Sequence, residues 1–302
     1  MIDLQRERTF SEKINATFQY ITANLGSLLR CLLYISGPLL LLGAISVGMI
    51  RGGVGGGSWV GVSMASVLSF FAYFFAFMVV PLVLSAHMKV YERENGGLVE
   101  TSAVLAEVWA SAGTTLLVNI VLFIMMVLVM LLSTMLVGFA VAAFRLINPY
   151  VASVLSLLFL LPVYATAAIL SLTTPIIVFE RGDVGHTIGR CFSLVGGKVL
   201  STIGLVAVML GVVYNLLMLL FIPYIAVMVI RPLVGFFEIP TFVTILFASF
   251  SVLAFSVIAS IIIIAVNFQY FSLIERREHP GLIARIATIG MNTPVTPDAE
   301  TY

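Results

Sequence analysis

Charge is what this sequence has least of. Asp, Glu, Lys and Arg make up 10% of its 302 residues, where a soluble domain carries about 25%. With 61% of the chain apolar and a mean hydropathy of +1.16, too little polar surface exists to coat a water-soluble fold. The composition therefore predicts an all-α polytopic membrane protein. A net charge of +1 supplies no basic face and excludes nucleic acid as a partner. Cysteine is scarce too: Cys31 and Cys191 lack metal-site or CxxC spacing and are expected as buried free thiols.

Several motifs are missing. Residues 1–24 contain no apolar run that would serve as the core of a signal peptide. No G-x-S-x-G elbow, H-E-x-x-H pair or G-x-x-x-x-G-K-[ST] loop occurs. RGGVGGGSW at 51–59 lacks the lysine that grips phosphates, and reads as a turn between spans. His87, His186 and His279 have no second ligand at metal spacing, and are expected as solvated or interfacial histidines.

What is present is length without charge. Runs free of Asp, Glu, Lys and Arg cover about 31–50, 59–86, 113–144, 150–178, 199–230 and 239–274, each reaching the roughly 20 residues that cross a bilayer as a helix. These six predicted spans hold no ionisable side chain of those four types, which argues against proton-coupled carriers and pumps. Pro38, Pro81, Pro162 and Pro223 are expected kink points. Of the 15 Lys and Arg, 12 fall on one side of the spans, and Arg51, Arg145 and Arg231 on the other. The positive-inside rule then places both termini in the cytoplasm. Trp59, Trp109, Tyr91, Tyr150 and Tyr270 lie near span ends, where an aromatic belt is expected.

The few charges follow a pattern. Glu-Arg recurs at Glu7-Arg8, Glu92-Arg93, Glu180-Arg181 and Glu275-Arg276, at intervals of 85, 88 and 95 residues, each time on the expected cytoplasmic side. This predicts parallel repeats at about 7–91, 92–179 and 180–274, each an interfacial amphipathic helix followed by a transmembrane hairpin. A closing amphipathic segment is expected at 275–290 and a disordered tail at 291–302, within a single membrane domain over 1–290. Phe10, Ile14, Phe18, Ile21 and Leu25 form one face of the first such helix, started by a Thr9/Glu12 capping box. In the third, Val184, Ile188, Phe192 and Val195 share a face behind an Asp183 N-cap. The second is less regular, with Leu98, Leu105, Val108 and Trp109; the closing segment offers Leu282, Ile286 and Ile289.

Two groups of candidate site residues emerge. Arg8, Arg93, Arg181, Arg276 and Lys198 are placed to contact lipid headgroups or a partner protein, or else to fix topology and register. Asn119, Asn215, Asn267 and Gln269 are the amides inside spans, suited to a polar path or to bonding neighbouring helices.

The stretch PIIVFERGDVGHTIGRCFSLVGGK at 175–198 resembles the membrane domain fused to some bacterial glycerophosphodiester phosphodiesterases, and related polytopic bacterial proteins. The resemblance rests on Pro175, Glu180, Gly182, Ile188, Phe192, Gly197 and Lys198. It implies an inner-membrane module without chemistry of its own, since the H-R-G motif of the catalytic half is absent. The expectation is a non-enzymatic scaffold or lipid-interacting component needing no cofactor. Membrane lipids are its expected partners, with a membrane protein as a second option. A transporter or channel for an uncharged or amphiphilic solute is the alternative. A third option, a membrane-embedded enzyme, would need His186 and groups like Glu180 to converge in a polar cavity.

Overall fold

The computed structural model describes residues 3–51, 59–144, 149–234, 241–279 and 283. Among these the chain is all-helical: α1 (Phe10–Cys31), a π-helical stretch (Leu32–Ser36), α2 (Gly37–Arg51), α3 (Trp59–Arg93), α4 (Thr101–Phe144), α5 (Pro149–Leu170), α6 (Thr173–Glu180), α7 (Val184–Val195), α8 (Val199–Val234) and α9 (Thr241–Glu278). Six helical stretches are long and apolar enough to cross a membrane, and the protein is an integral, multi-pass membrane protein. The closing segment, apart from Ile283, and the tail lie outside the described residues.

Local sequence explains the breaks and joins. Pro38 has no N–H for the carbonyl of Tyr34, and the helix absorbs the mismatch as the π-helical stretch Leu32–Ser36. The segment expected as a separate first interfacial helix thus runs on into the first span. By contrast α3 and α5 continue through Pro81 and Pro162. Pro175 leaves the carbonyl of Ser171 without a helical donor, and the chain opens there between α5 and α6. Ser171 Oγ and Thr173 Oγ1 satisfy the carbonyls of Ala168 and Leu170 at 2.7 and 2.8 Å. The 44 residues of α4 extend about 66 Å at 1.5 Å per residue, twice the hydrocarbon thickness of about 30 Å. Its first turns, expected as a separate second interfacial helix, are therefore one piece with a span.

Each span packs on the next, and the last returns to the first: α2 on α3, α3 on α4, α4 on α5, α5 on α8, α8 on α9 and α9 on α2. Gly43 lets α2 approach α3 closely, since a Cβ there would sit 3.2 Å from the Tyr73 ring and 3.3 Å from Ala72 Cβ.

The core lies at one end of this ring. Leu4, Tyr20, Met88, Tyr91, Leu172, Ile176, Leu194 and Phe268 form one buried cluster, at the end where the chain's charges also gather. Tyr20 is fully buried, with edge-on rings at 5.2 Å (Tyr91) and 6.0 Å (Phe268). Much of α4, by contrast, carries exposed Leu, Ile, Met and Phe, as a lipid-facing surface does.

Two helix faces differ from the sequence expectation. On α1 the buried residues are Lys13, Ala16, Thr17, Tyr20, Leu28 and Cys31, while Phe10, Phe18 and Leu25 remain exposed. On α7 Val195 of the expected face is buried, beside Thr187, Cys191 and Leu194, but Phe192 is exposed. On α1 the more polar face turns to the protein, because lipid solvates a large apolar side chain as well as a core does. The aromatic belt is corrected as well: Trp109 and Tyr150 are exposed, but Tyr91 and Tyr270 are core residues.

The close approach at Gly43 sets a test. Gly43→Leu is expected to destabilise the solubilised protein by about 1–3 kcal/mol through overpacking. Gly138→Leu on α4, where a Cβ meets nothing within 4 Å, is expected to leave it unchanged. Thermal unfolding in detergent, followed by intrinsic fluorescence, distinguishes the two.

Candidate functional site

The charged end is assembled from six elements. The α3 terminus supplies Lys89, Glu92 and Arg93; α4 carries Glu107 within its first two turns; α6 ends in Glu180; α7 carries Arg190; α9 ends in Glu275 to Glu278; and residues 3–9 reach α3 and α9 through Gln5 and Arg8. These ends are held together by side chains. Lys89 Nζ lies 2.6 Å from Glu107 Oε1 and also donates to the carbonyl of Val178. Arg181 Nη2 reaches the same carboxylate at 3.1 Å. Glu107 therefore joins α3, α4 and the end of α6.

A second carboxylate plays the same part for α7 and α9. Glu180 accepts from Arg190 Nε at 3.0 Å and from the Tyr270 hydroxyl at 3.2 Å. Arg190 also bonds Glu278, and Arg277 the carbonyl of Ser193. Burial works against the charge on Arg190, yet Glu278 and Glu180 together hold it above its ordinary pKa. Asp183 caps α7 as its sequence position predicts, Oδ1 accepting from the His186 amide at 2.8 Å. Arg181 sits between the two helices in the left-handed region, at φ 53°, bonding back to the carbonyl of Ile177 at 3.1 Å.

Between these clamps lies a cleft of about 450 Å³. Its floor is aromatic: Phe179 stacks on Tyr270 at 5.7 Å and meets Phe271 edge-on at 4.9 Å. Its rim is charged, with Lys89, Glu92 and Glu107 among the lining residues. Gln5 crosses the mouth and donates to Glu92 Oε1 at 2.7 Å. An apolar floor under a rim of mixed charge suits an amphiphile, whose two halves need different surroundings. His186 and Glu180 are not among the residues that line it. The His186 ring lies against Gly182 instead, where a Cβ would come within 2.2 Å of Nδ1.

The candidate basic residues differ in role. Arg8 is buried: its guanidinium donates to the carbonyls of Asp3, Leu4 and Arg6 and lies 5.1 Å over the Phe268 ring. Burial lowers its pKa, and Asp3 opposes that shift. It fastens the N-terminal segment to the bundle. Arg93 is exposed beside Glu94, Arg181 is largely exposed, and Lys198 and Arg276 are exposed. The two members of a Glu-Arg pair thus serve different partners.

The amides divide similarly. Asn119 and Asn215 donate to the carbonyls of Thr115 and Gly211 on their own helices, both at 2.8 Å. Asn267 and Gln269 are buried and join helices. Ser85 Oγ donates to Asn267 Oδ1 at 3.0 Å. Lys13 Nζ donates to Gln269 Oε1 at 2.8 Å, and Gln269 Nε2 to Thr202 Oγ1 at 2.9 Å.

Sequence reading missed two of these clusters. His87 is not solvated but fully buried, with Tyr20 OH 2.8 Å from Nδ1 and Ser27 Oγ 3.0 Å from Nε2. Lys13 is buried as well. The available signal was that Lys13, Thr17 and Tyr20 share one face of α1 at spacings of 4 and 3, a polar stripe beside the apolar one.

Cys191 gives a direct readout of burial at this end. It is fully buried, and burial, reinforced by Glu180, pushes its thiol up to about 12. A maleimide is expected to leave Cys191 unmodified in the folded, solubilised protein even at pH 9, where an ordinary thiol near 8.5 is mostly thiolate. Modification in denaturant should go to completion. Mass spectrometry of the two samples checks this, and rapid labelling of the folded form contradicts it.

No protein-family model matches the chain, and neither a curated protein nor a solved structure matches it.

Proposed function

We propose that this protein is a non-enzymatic inner-membrane component whose charged end, in the cytoplasm with both termini, engages anionic lipid and acts as a scaffold there. Three hairpins, α2–α3, α4–α5 and α8–α9, each pair in sequence and in space, in keeping with a threefold repeat. α7, with Phe192 left outside its protein-facing side, suits a helix lying in the interface.

One observation carries this reading. The carboxylates Glu107 and Glu180 are occupied by Lys89, Arg181, Arg190 and Tyr270, whereas Arg276 and Lys198 stand exposed with no ion pair among the described residues. These two acids are spent inside the fold, while Lys198 and Arg276 face outward beside exposed acids such as Glu7 and Glu278. A basic residue held near an anionic membrane surface gains about 1 kcal/mol. The transporter alternative draws less support, because Asn215 and Asn267 are bonded to helix carbonyls at 2.8 and 3.0 Å.

Native mass spectrometry from detergent tests the reading. The wild-type protein is expected to retain phosphatidylglycerol over phosphatidylcholine, and a combined Arg93→Ala, Arg181→Ala and Arg276→Ala variant should lose most of that preference. Equal retention of both lipids by the wild type sinks the proposal.

A further inference from the structure

Lys13 is the least explained charge in the molecule. It projects from the first turns of α1 and is 6% exposed. An ammonium has three N–H donors, and among the described residues Lys13 Nζ uses one, to the neutral Gln269 Oε1 at 2.8 Å. The charges acting on it are Lys198 most strongly, then Glu7, Arg276 and Arg8. Three of these four are cations. A buried charge is kept where it is paired, and here Glu7 is one acid against three cations, so a further anion would stabilise the Lys13 ammonium.

The surroundings form a built site. Gln269 on α9 and Thr202 on α8 are each 1% exposed and linked to one another at 2.9 Å, and Thr202 Oγ1 bonds the Lys198 carbonyl at 3.3 Å. This chain of bonds ties α1, α8 and α9 at one level. Just beneath it Leu205, Met209 and Ala265 close the junction with Ile14 packed on them. Above it Lys198 and Arg276 are exposed. Gly197 adopts φ 79°, a conformation that suits glycine, and it turns the chain so that α8 begins directly after Lys198. The positive end of that helix therefore adds to the field. Apolar surface is near as well: Phe10 meets α8 at Gly204, and Leu200, 84% exposed, lies two residues after Lys198.

We infer that the junction of α1, α8 and α9 binds a phosphate-bearing anion, held by Lys13, Lys198 and Arg276 over a floor of Gln269 and Thr202. The oxygens of a phosphate would take the two unfilled Lys13 donors, and the exposed cations would close over its outer side. The anion is either the phosphate of an anionic phospholipid, its chains lying along Leu200 and Phe10, or a free phosphate. The inference rests on the anionic-lipid reading above for the first source but not for the second.

The test uses the full chain in nonionic detergent and two variants that leave the arginines intact: Lys198→Glu, at an exposed position, and Lys13→Gln. Elution as a single folded peak by gel filtration qualifies each variant. One arm titrates phosphatidylglycerol against phosphatidylcholine by native mass spectrometry; the other titrates inorganic phosphate and follows thermal unfolding. For the lipid source, each variant should bind phosphatidylglycerol about tenfold more weakly, the loss expected for one charged hydrogen bond. For the free-phosphate source, phosphate should raise the unfolding temperature of the wild type and of neither variant. If Lys198→Glu binds phosphatidylglycerol as the wild type does, and phosphate stabilises neither protein, the site is overturned. If in that case the lipid preference is still lost on replacing Arg93, Arg181 and Arg276, the broader lipid reading stands and this inference alone fails.

Discussion

The structure depends on the cost of an unpaired charge in hydrocarbon. A carboxylate or ammonium at the depth of a span is tolerated when it has a partner or a route to water. This chain keeps most such groups at one end and pairs the less exposed of them with each other. Glu107, on the first turns of the longest helix, is held by Lys89 and Arg181 at 2.6 and 3.1 Å. Because those partners come from different helices, the same neutralisation also joins α3, α4 and the end of α6. Glu180 does the equivalent for α7 and α9 through Arg190 and Tyr270.

The apolar core follows from that arrangement. Helices with no apolar driving force between them in lipid associate through close packing and polar contacts. Buried residues accordingly concentrate where the clamps are, around Tyr20, Met88, Ile176 and Phe268. The N-terminal segment completes this end: Leu4 is buried in the cluster, and Arg8 bonds the backbone around it while stacking on Phe268.

Much of this was legible in the sequence. Six charge-free runs stand out in a chain that is 10% charged, and six helices in the structure are long enough to cross a membrane. The Asp183 cap was readable from its spacing to the following helix. Helix orientation was not readable by the same route. The face of Phe10, Ile14, Phe18, Ile21 and Leu25 has helical periodicity, and periodicity alone does not say whether lipid or protein covers it. In the structure Lys13, Thr17 and Tyr20 turn inward. Pairing across repeats was equally hidden, since Lys89 and Glu107 are 18 residues apart and Arg181 and Glu107 74 apart. Sequence proximity joins Glu180 to Arg181, whereas geometry joins Glu180 to Arg190.

The central claim is that one face of the membrane carries the whole charged end. Substituted-cysteine labelling addresses it most directly, in a background with Cys31 and Cys191 replaced by alanine. Single cysteines at Leu98 and Gly185 report the charged end, and cysteines at Tyr150 and Phe242, exposed at the starts of α5 and α9, the other. With a membrane-impermeant maleimide, the Tyr150 and Phe242 positions are expected to react in intact cells, while the Leu98 and Gly185 positions react only in inverted vesicles. Labelling of Leu98 and Gly185 from opposite faces would contradict it.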